Sequence, residues 1–170
     1  MWKHIQTLRE EGYVIDARPR TGYRLTGIPD RLLPAEIRDG LSTRVMGREI
    51  DYSAETASTN EVAKERASKG AKEGLLVVAE EQTGGKGRLG RQWHTPRYKG
   101  ICFSLLLYPP VNPSRASQLT MLAAVSLASA IRSETGVEAG IKWPNDLLVR
   151  GRKICGILAE LSAEVDRIGH

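Results

Sequence analysis

The sequence predicts an α+β fold, a mixed β-sheet with flanking helices, set behind a small helix-and-hairpin unit. Three observations carry that expectation. Apolar runs of strand length stand at LLVVAEEQ (75–82) and ICFSLLLY (101–108). Stretches with helical patterning follow each of them or precede them, notably over 114–133. The first 27 residues instead read as one helix and one hairpin. The chain has 170 residues, enough for one domain with a real core, or one domain with a small appendage.

Residues 2–11 read as a helix because Trp2, Ile5 and Leu8 recur every three residues, with Gly12 as the stop. YVIDA and GYRLTG flank the turn-rich RPRT and read as a β-hairpin. A short helix followed by a hairpin with Arg18, Arg20 and Arg24 is the back half of a winged helix-turn-helix, which assigns residues 1–27 to that unit. Residues 2–11 are then the tail of its recognition helix, and Lys3, Arg18 and Arg20 are the candidate DNA contacts. Residues 28–42 hold two prolines and little periodicity, and read as a linker with one short helix. The α+β unit occupies 43–170. REIDYSAE alternates like a strand. Ser58 with Glu61 three residues on fits a capping box, opening a helix that runs to Gly70. The helix over 114–133 carries Leu119, Leu122, Leu127 and Ile131. A strand through Ile141 follows, then Trp-Pro-Asn-Asp, then a hairpin of DLLV, the turn RGR and KICGILAEL.

Composition narrows the function classes. The chain is 41% hydrophobic and 26% charged, with a formal charge of +5. A modest basic excess suits phosphate-bearing ligands or nucleic acid. Cys102 and Cys155 each sit in an apolar run, as buried reduced thiols do, and the three histidines are scattered without metal-ligand spacing, so no metal site is expected. No run approaches the roughly 18 apolar residues of a membrane helix, and MWKHIQTLRE holds no signal-peptide core. The expected location is the cytoplasm, with no membrane partner.

The richest stretch is EEQTGGKGRLGRQW, residues 80–93. Gly85-x-Gly87-x-x-Gly90 matches the dinucleotide fingerprint in letters, but that site needs a helix directly after the loop and an acid about 20 residues on. Here RQWHTPRYKG and another strand follow, and Pro110 stands at that distance. A P-loop needs a Ser or Thr after its Gly-Lys, whereas Lys86 is followed by Gly87. A plain solvated loop does not explain why Gln82 to Gly100 holds five cations and no carboxylate. A strand–loop–strand clamp over an anion does explain it. Arg88 and Arg91 would fork to phosphate oxygens. Trp93 would stack on a planar ring or serve as a structural anchor.

EEQTGGKGRLGRQW, followed by KWPNDLLV and GRKICGILAEL, with Ser58-Thr59-Asn60 upstream, resembles the biotin protein ligases. The N-terminal KHIQTLREEGYVIDARPRTGYRL resembles the bacterial subgroup that doubles as a biotin operon repressor. The resemblance spans essentially the whole chain. It implies a catalytic domain of the class II aminoacyl-tRNA synthetase-like, biotin–lipoyl ligase kind. It implies that biotin and ATP, with Mg²⁺, form biotinyl-5′-AMP, and that biotin then passes to a lysine of a biotin carboxyl carrier protein. Ser58, Thr59 and Asn60 would hold the ureido ring of biotin. Gln82, Gly85, Lys86, Gly87 and Arg88 would fold over biotin and the adenylate, and Gly156 and Leu158 would line the biotin pocket. Arg88, Lys153 and Asp146 would be the catalytic residues. Lys153 would neutralise the reacting carboxylate and phosphoryl oxygens, and Asp146 would help place Mg²⁺ or the incoming amine. Arg91, Trp93, Lys142 and Asn145 would complete the ATP site. Asn145 and Asp146 also read as a turn-forming Asx pair. The family usually has Arg where Lys86 stands, so the two-pronged contact is lost there.

The resemblance further implies that the family's earlier helices, a following Gly-x-Gly-x-Asn strand and a small β-barrel-like domain lie outside these 170 residues. The chain therefore reads as truncated at both ends. A biotin-responsive DNA-binding regulator, or an inactive ligase fragment, is the alternative reading. Operator DNA and a second copy of the chain, paired through the sheet, are further implied partners. A lipoyl or octanoyl transferase shares the fold but carries different glycine-rich motifs.

Overall fold

The computed structural model describes residues 2–19 and 21–161. Arg20 lies outside the described residues. The first helix, α1 (Trp2–Glu10), ends at Gly12, whose φ of +102° suits glycine. Gly12 N–H donates to Arg9 O and Tyr13 N–H to Leu8 O, both at 3.0 Å. That crossed pair satisfies the last carbonyls of the helix. Of the three residues that predict α1, Ile5 alone is buried. Strands β1 (Val14–Arg18) and β2 (Gly22–Gly27) form an antiparallel hairpin. The short helix α2 (Pro34–Asp39) follows, with Pro34 in its first turn.

The remaining strands divide between two three-stranded sheets, where the sequence suggests one mixed sheet. The first sheet holds β3 (Ile50–Ser53), β4 (Leu76–Ala79) and β5 (Cys102–Leu105). It is mixed, since β3 and β4 are parallel while β4 and β5 are antiparallel. The second holds β6 (Gly140–Lys142), β7 (Asp146–Val149) and β8 (Arg152–Gly156), all antiparallel. Each sheet has its own helix. Helix α3 (Thr59–Ser68) packs on β4 and β5, and α4 (Ala116–Thr135) packs on β6 and β7. The long β5-to-β6 connection carries α4, and the two sheets form on either side of it.

Val77, Val78 and Ala79 of β4 are buried, with Leu75 and Ala63 of α3 beside them. An unbroken apolar run is what a central strand covered on both sides requires. Along α4 the buried position is Ala124, whereas Leu122 is 63% exposed. Two residues of helix turn about 200°, so Leu122 faces away from the sheet that Ala124 touches. Helix α3 starts at Thr59, directly after Ser58 at the expected cap position, and the chain leaves it at Gly70, which has φ +84°.

The N-terminal unit is tied to the rest by polar contacts. Tyr13 hydroxyl donates to Glu36 Oε1 at 2.5 Å. That hydrogen bond, aided by burial, pushes the Tyr13 phenol up to about 12. Its unfolded value is about 10, so the stabilising contribution is intact below pH 10 and disappears as pH rises towards 12. Tyr13→Phe should lower the melting temperature by a few degrees at pH 8 and flatten the fall in stability between pH 10 and 12. Calorimetric melts across that range check both effects.

Candidate functional site

Past the end of β4 the chain keeps running beside the segment that follows β3. Thr56 N–H donates to Glu81 O at 3.1 Å, Thr83 N–H to Thr56 O at 2.9 Å, and Gly84 N–H to Ala57 O at 2.8 Å. This pairing carries Gln82 to the start of α3. There Gln82 Oε1 accepts from Thr59 N–H at 2.8 Å and from the Thr59 hydroxyl at 3.0 Å. The expected capping box is not what closes this helix. Ser58 stands at the cap, but its side chain makes no capping bond. Glu61 instead turns outward to Lys86 at 2.8 Å and Lys64 at 3.8 Å. The first amides of a helix need acceptors from any source, and strand pairing delivers one from Gln82.

Sequence reasoning missed Ser104 of β5. Its buried hydroxyl lies 2.8 Å from Thr59 Oγ1 and also within hydrogen-bond reach of Asn60 Oδ1. A hydroxyl carries one proton, so it donates to one of the two at a time. With Asn60 Oδ1 facing Ser104, Asn60 Nδ2 points the other way. It donates to Glu160 Oε2 at 2.7 Å and reaches Leu158 O at 3.4 Å. Burial pushes the Glu160 carboxyl up, but hydrogen bonds from Asn60 and Lys64 outweigh it and hold the group below its ordinary value. The signal available for Ser104 was a single hydroxyl inside the apolar run ICFSLLLY.

The glycine-rich segment is a narrow hairpin. Trp93 N–H donates to Gly85 O at 2.8 Å, Lys86 pairs with Gln92, and Gly87 N–H donates to Arg91 O at 2.7 Å. A 3₁₀ turn over Arg88–Gly90 forms its tip, with Leu89 at φ 59° and 88% exposed. A Cβ on Gly85 would lie 2.5 Å from Trp93 O, so glycine there is a steric requirement. The Lys86 ion pair fastens the near side of this hairpin to α3; hydrogen bonding by Glu61 raises the Lys86 pKa, and Lys86 lowers that of Glu61. Arg88 fastens the tip: its Nη1 donates to Asn145 Oδ1 at 3.3 Å. Asn145 in turn donates from Nδ2 to Ile157 O at 3.0 Å and accepts from Ile157 N–H at 2.8 Å.

Lys153 of β8 places Nζ 2.7 Å from Asp146 Oδ1. The contact is one of charge, because the Asp146 oxygen has no hydrogen-bond geometry with any partner among the described residues. Lys153 Nζ also stands 5.0 Å from the centre of the Trp93 ring. Gly156 leaves room for both: a Cβ there would meet Lys153 Nζ at 3.0 Å and Trp93 Cζ3 at 3.3 Å. Trp93 Nε1 donates to Thr95 Oγ1 at 2.9 Å, which fixes the ring. Burial pushes the neighbouring Cys155 thiol up, with Lys153 opposing more weakly, so its reactive thiolate is suppressed.

These parts surround a cleft of about 1070 Å³. Of the residues singled out from sequence, Gln82, Gly85, Lys86, Gly87, Arg88, Arg91, Trp93, Asn145 and Leu158 line it. Ser58 and Thr59 are buried at its base, and Asn60 meets it through Leu158 and Glu160. Lys153, Asp146 and Gly156 sit together behind Trp93. Lys142 is placed apart, exposed at the end of β6 opposite Asp146 in register. Lys3 and Arg18 are exposed on the N-terminal unit, and Arg20 falls outside the described residues. Among the described residues Arg88 and Arg91 have no carboxylate within 4 Å, so two cations face the cleft with their charge available. Among the described residues no cluster of three metal-ligating side chains exists. A cleft of this composition can hold a ligand with one polar, hydrogen-bonding end and one anionic end.

The two glycines at the ends of the loop make a paired test. Gly85→Ala must push against Trp93 O and should cost about 1–3 kcal/mol. Gly90→Ala meets nothing within 4 Å and should cost only about 1 kcal/mol for its φ of +72°. Denaturant melts give the two costs. Amide exchange at Trp93 should accelerate in Gly85→Ala and stay near wild type in Gly90→Ala.

Comparison with known proteins gives this geometry a family. Residues 52–167 match the model of the biotin/lipoate A/B protein ligase family. The chain is 47% identical over 168 residues to the bifunctional ligase/repressor BirA of Bacillus spizizenii, covering 99% of this chain and 52% of that protein. It is 36% identical over 143 residues to the biotin–[acetyl-CoA-carboxylase] ligase of Mycobacterium tuberculosis, covering 78% of this chain and 54% of that one. Among solved structures, biotin protein ligase from Aquifex aeolicus in complex with biotin and ATP superposes with a TM-score of 0.58 at 34% identity. That match covers 68% of this chain and 47% of that chain. The chain spans about half the length of the curated relatives it matches. Among the described residues no helix is long and apolar enough to cross a membrane. The mixed sheet, its glycine-rich clamp and the family match together place the chain in the biotin/lipoate A/B protein ligase family.

Proposed function

We propose that this chain carries the adenylating chemistry of a biotin protein ligase. The observation that carries the reading is the cleft's two-ended character. One end is Gln82 of the cleft wall, with Thr59, Ser104 and Asn60 hydrogen-bonded in a chain behind it; the other is the cationic hairpin with Arg88 and Arg91. The ureido ring of biotin needs matched donors and acceptors in a largely apolar pocket, which suits the first end. The carboxylate of biotin and the phosphates of MgATP are anions, which suits the second. Bringing two anions together costs Coulomb energy, and fixed cations offset it where the charge develops.

The reaction then proceeds by positioning. A biotin carboxylate oxygen attacks the α-phosphorus of ATP, and the bond to pyrophosphate breaks. Arg88 holds the carboxylate or phosphate, having exchanged its Asn145 contact for the ligand. Lys153, held by Asp146 beside Trp93, neutralises the phosphoryl oxygens, and Trp93 lies near the adenine. A lysine amine of a biotin carboxyl carrier protein then attacks the acyl carbon, and AMP leaves. Mg²⁺ enters with ATP, held mostly by phosphates and water. Such chemistry belongs in the cytoplasm, where carboxylases and ATP are.

A second role is supported by the N-terminal unit. A helix followed by a hairpin with exposed Arg18 and Arg24 fits the rear of a winged helix-turn-helix, residues 1–27, joined by residues 28–42 to the ligase unit at 43–170. Four of the relatives are named ligase/repressor. Operator DNA is the partner this implies, with a second copy of the chain pairing through the second sheet, where Ile141 and Ile154 are exposed.

Isothermal titration of biotin, with and without MgATP, tests the ligase reading. Biotin should bind, MgATP should tighten the interaction, and Arg88→Ala should weaken it at least tenfold, the order of a lost charge-assisted contact. Absence of binding in the wild type would sink it. Lys153→Met should lower the rate of biotinyl-adenylate formation by about a hundredfold or more with little change in biotin affinity. Pyrophosphate release is the readout, and an unchanged rate would remove Lys153 from the mechanism.

A further inference from the structure

We propose that Arg31 is a positioning residue that couples the N-terminal helix–hairpin unit to the base of the cleft, through the buried carboxylate of Glu80. Glu80 is 1% exposed, the sole buried charge among the described residues. A charge placed there needs partners, and three converge on its Oε1. Leu32 N–H donates at 3.1 Å, the Tyr52 hydroxyl donates at 3.0 Å, and the Arg31 guanidinium stands at 3.5 Å. The carboxylate thus clamps residues 31 and 32 onto the first sheet.

Arg31 also reaches in other directions. Nη1 donates to Glu11 O at 3.0 Å, just past α1, and Nη2 donates to the Tyr52 hydroxyl of β3 at 2.6 Å. Its guanidinium carbon lies 5.6 Å from the ring of Tyr98, in the loop that follows Trp93. One side chain therefore touches the N-terminal unit, β3, the end of β4 and the loop leaving the cleft. None of these groups lines the cleft.

The path to the cleft is short. Glu80 N–H donates to Ser53 O at 3.3 Å, and the same extended run pairs onward through Glu81, Thr83 and Gly84 to residues 56 and 57. Gln82, between them, is the acceptor for Thr59. A shift of Glu80 along this run moves Gln82 with it, and Gln82 sets where Thr59 and, through Ser104, Asn60 stand. Where the N-terminal unit sits and how the cleft base is arranged are then linked, and linkage acts in both directions. The ligand half of this inference rests on the biotin reading above; the coupling itself does not.

Amide exchange followed by NMR on the full chain tests both halves, using wild type, Arg31→Met, Arg31→Lys and the double variant Arg31→Met with Glu80→Gln. Without ligand, Arg31→Met should speed exchange at Thr59 and residues 82–84 by about tenfold, a typical coupling between two sites. The double variant, with no buried charge, should return to within about twofold of wild type. With biotin added, wild type should gain protection at residues 11–13 and at Leu32 as well as over 82–93. Arg31→Met should keep the second and lose the first, with biotin bound about tenfold more weakly. Faster exchange in Arg31→Met confined to residues 11–32 overturns the coupling, as does biotin protection in wild type confined to the cleft. If Arg31→Met does not fold, the other two variants decide. Arg31→Lys, which keeps the charge without the fork, should show an intermediate effect, and wild-type exchange at Thr59 in both variants overturns the proposal. A wild type that ignores biotin overturns the ligand reading alone, and the ligand-free comparison still decides the coupling.

Discussion

The structure around the cleft depends on one acceptor atom. Gln82 Oε1 receives both the backbone amide and the hydroxyl of Thr59, and so ties the end of β4 to the start of α3. The parallel pairing of residues 56 and 57 with 81 to 84 brings that atom into place. A residue with a shorter or apolar side chain at 82 would leave a buried helix amide without its acceptor, which costs about 1–3 kcal/mol. The Ser104 and Asn60 contacts then follow from where Thr59 is held. The polar end of the cleft is built outward from this bond.

The other end is electrostatic, and its charges are divided by task. Lys86 is paired with Glu61 and Lys153 with Asp146, while Arg88 leans on the neutral amide of Asn145 and Arg91 has no acidic neighbour among the described residues. An amide oxygen competes weakly with a phosphate or carboxylate for a guanidinium. Lys86 therefore fixes the framework of the site, Lys153 is held in place by Asp146, and the arginines remain available to an incoming anion. Placing lysine at 86 suits that division, because a compact ammonium suffices for one carboxylate.

Much of this was legible in the sequence, for identifiable reasons. The central strand at 75–82, the α4 helix and the 146–156 hairpin are local patterns, and apolar periodicity with glycine punctuation marks them. The cationic character of the 80–93 loop was legible because five cations without a carboxylate from Gln82 to Gly100 is a charge pattern that needs no fold to be noticed. What sequence could not give is contact at a distance. The cap on α3 comes from 23 residues away, which is why Ser58 and Glu61 suggested a local box that the chain does not form. Nothing local in EEQ marks Glu80, yet it is buried and pairs with Arg31 of the linker. The division into two sheets likewise depends on how α3 and α4 pack, which periodicity does not encode.

The glycine-rich hairpin has a consequence for the speed of ligand capture. Three rungs already hold its two arms together, at Gly85–Trp93, Lys86–Gln92 and Gly87–Arg91. A ligand therefore meets a hairpin that is already formed, and does not have to wait for a disordered strand to condense around it. Little backbone entropy is left to lose on binding, so the association step should have a small activation entropy and the dissociation rate should carry most of the difference between good and poor ligands. The tip residue Leu89, in a left-handed conformation and almost wholly in solvent, turns the chain at the rim of the cleft. Variation at the rungs would remove that preformed order, and capture would slow accordingly.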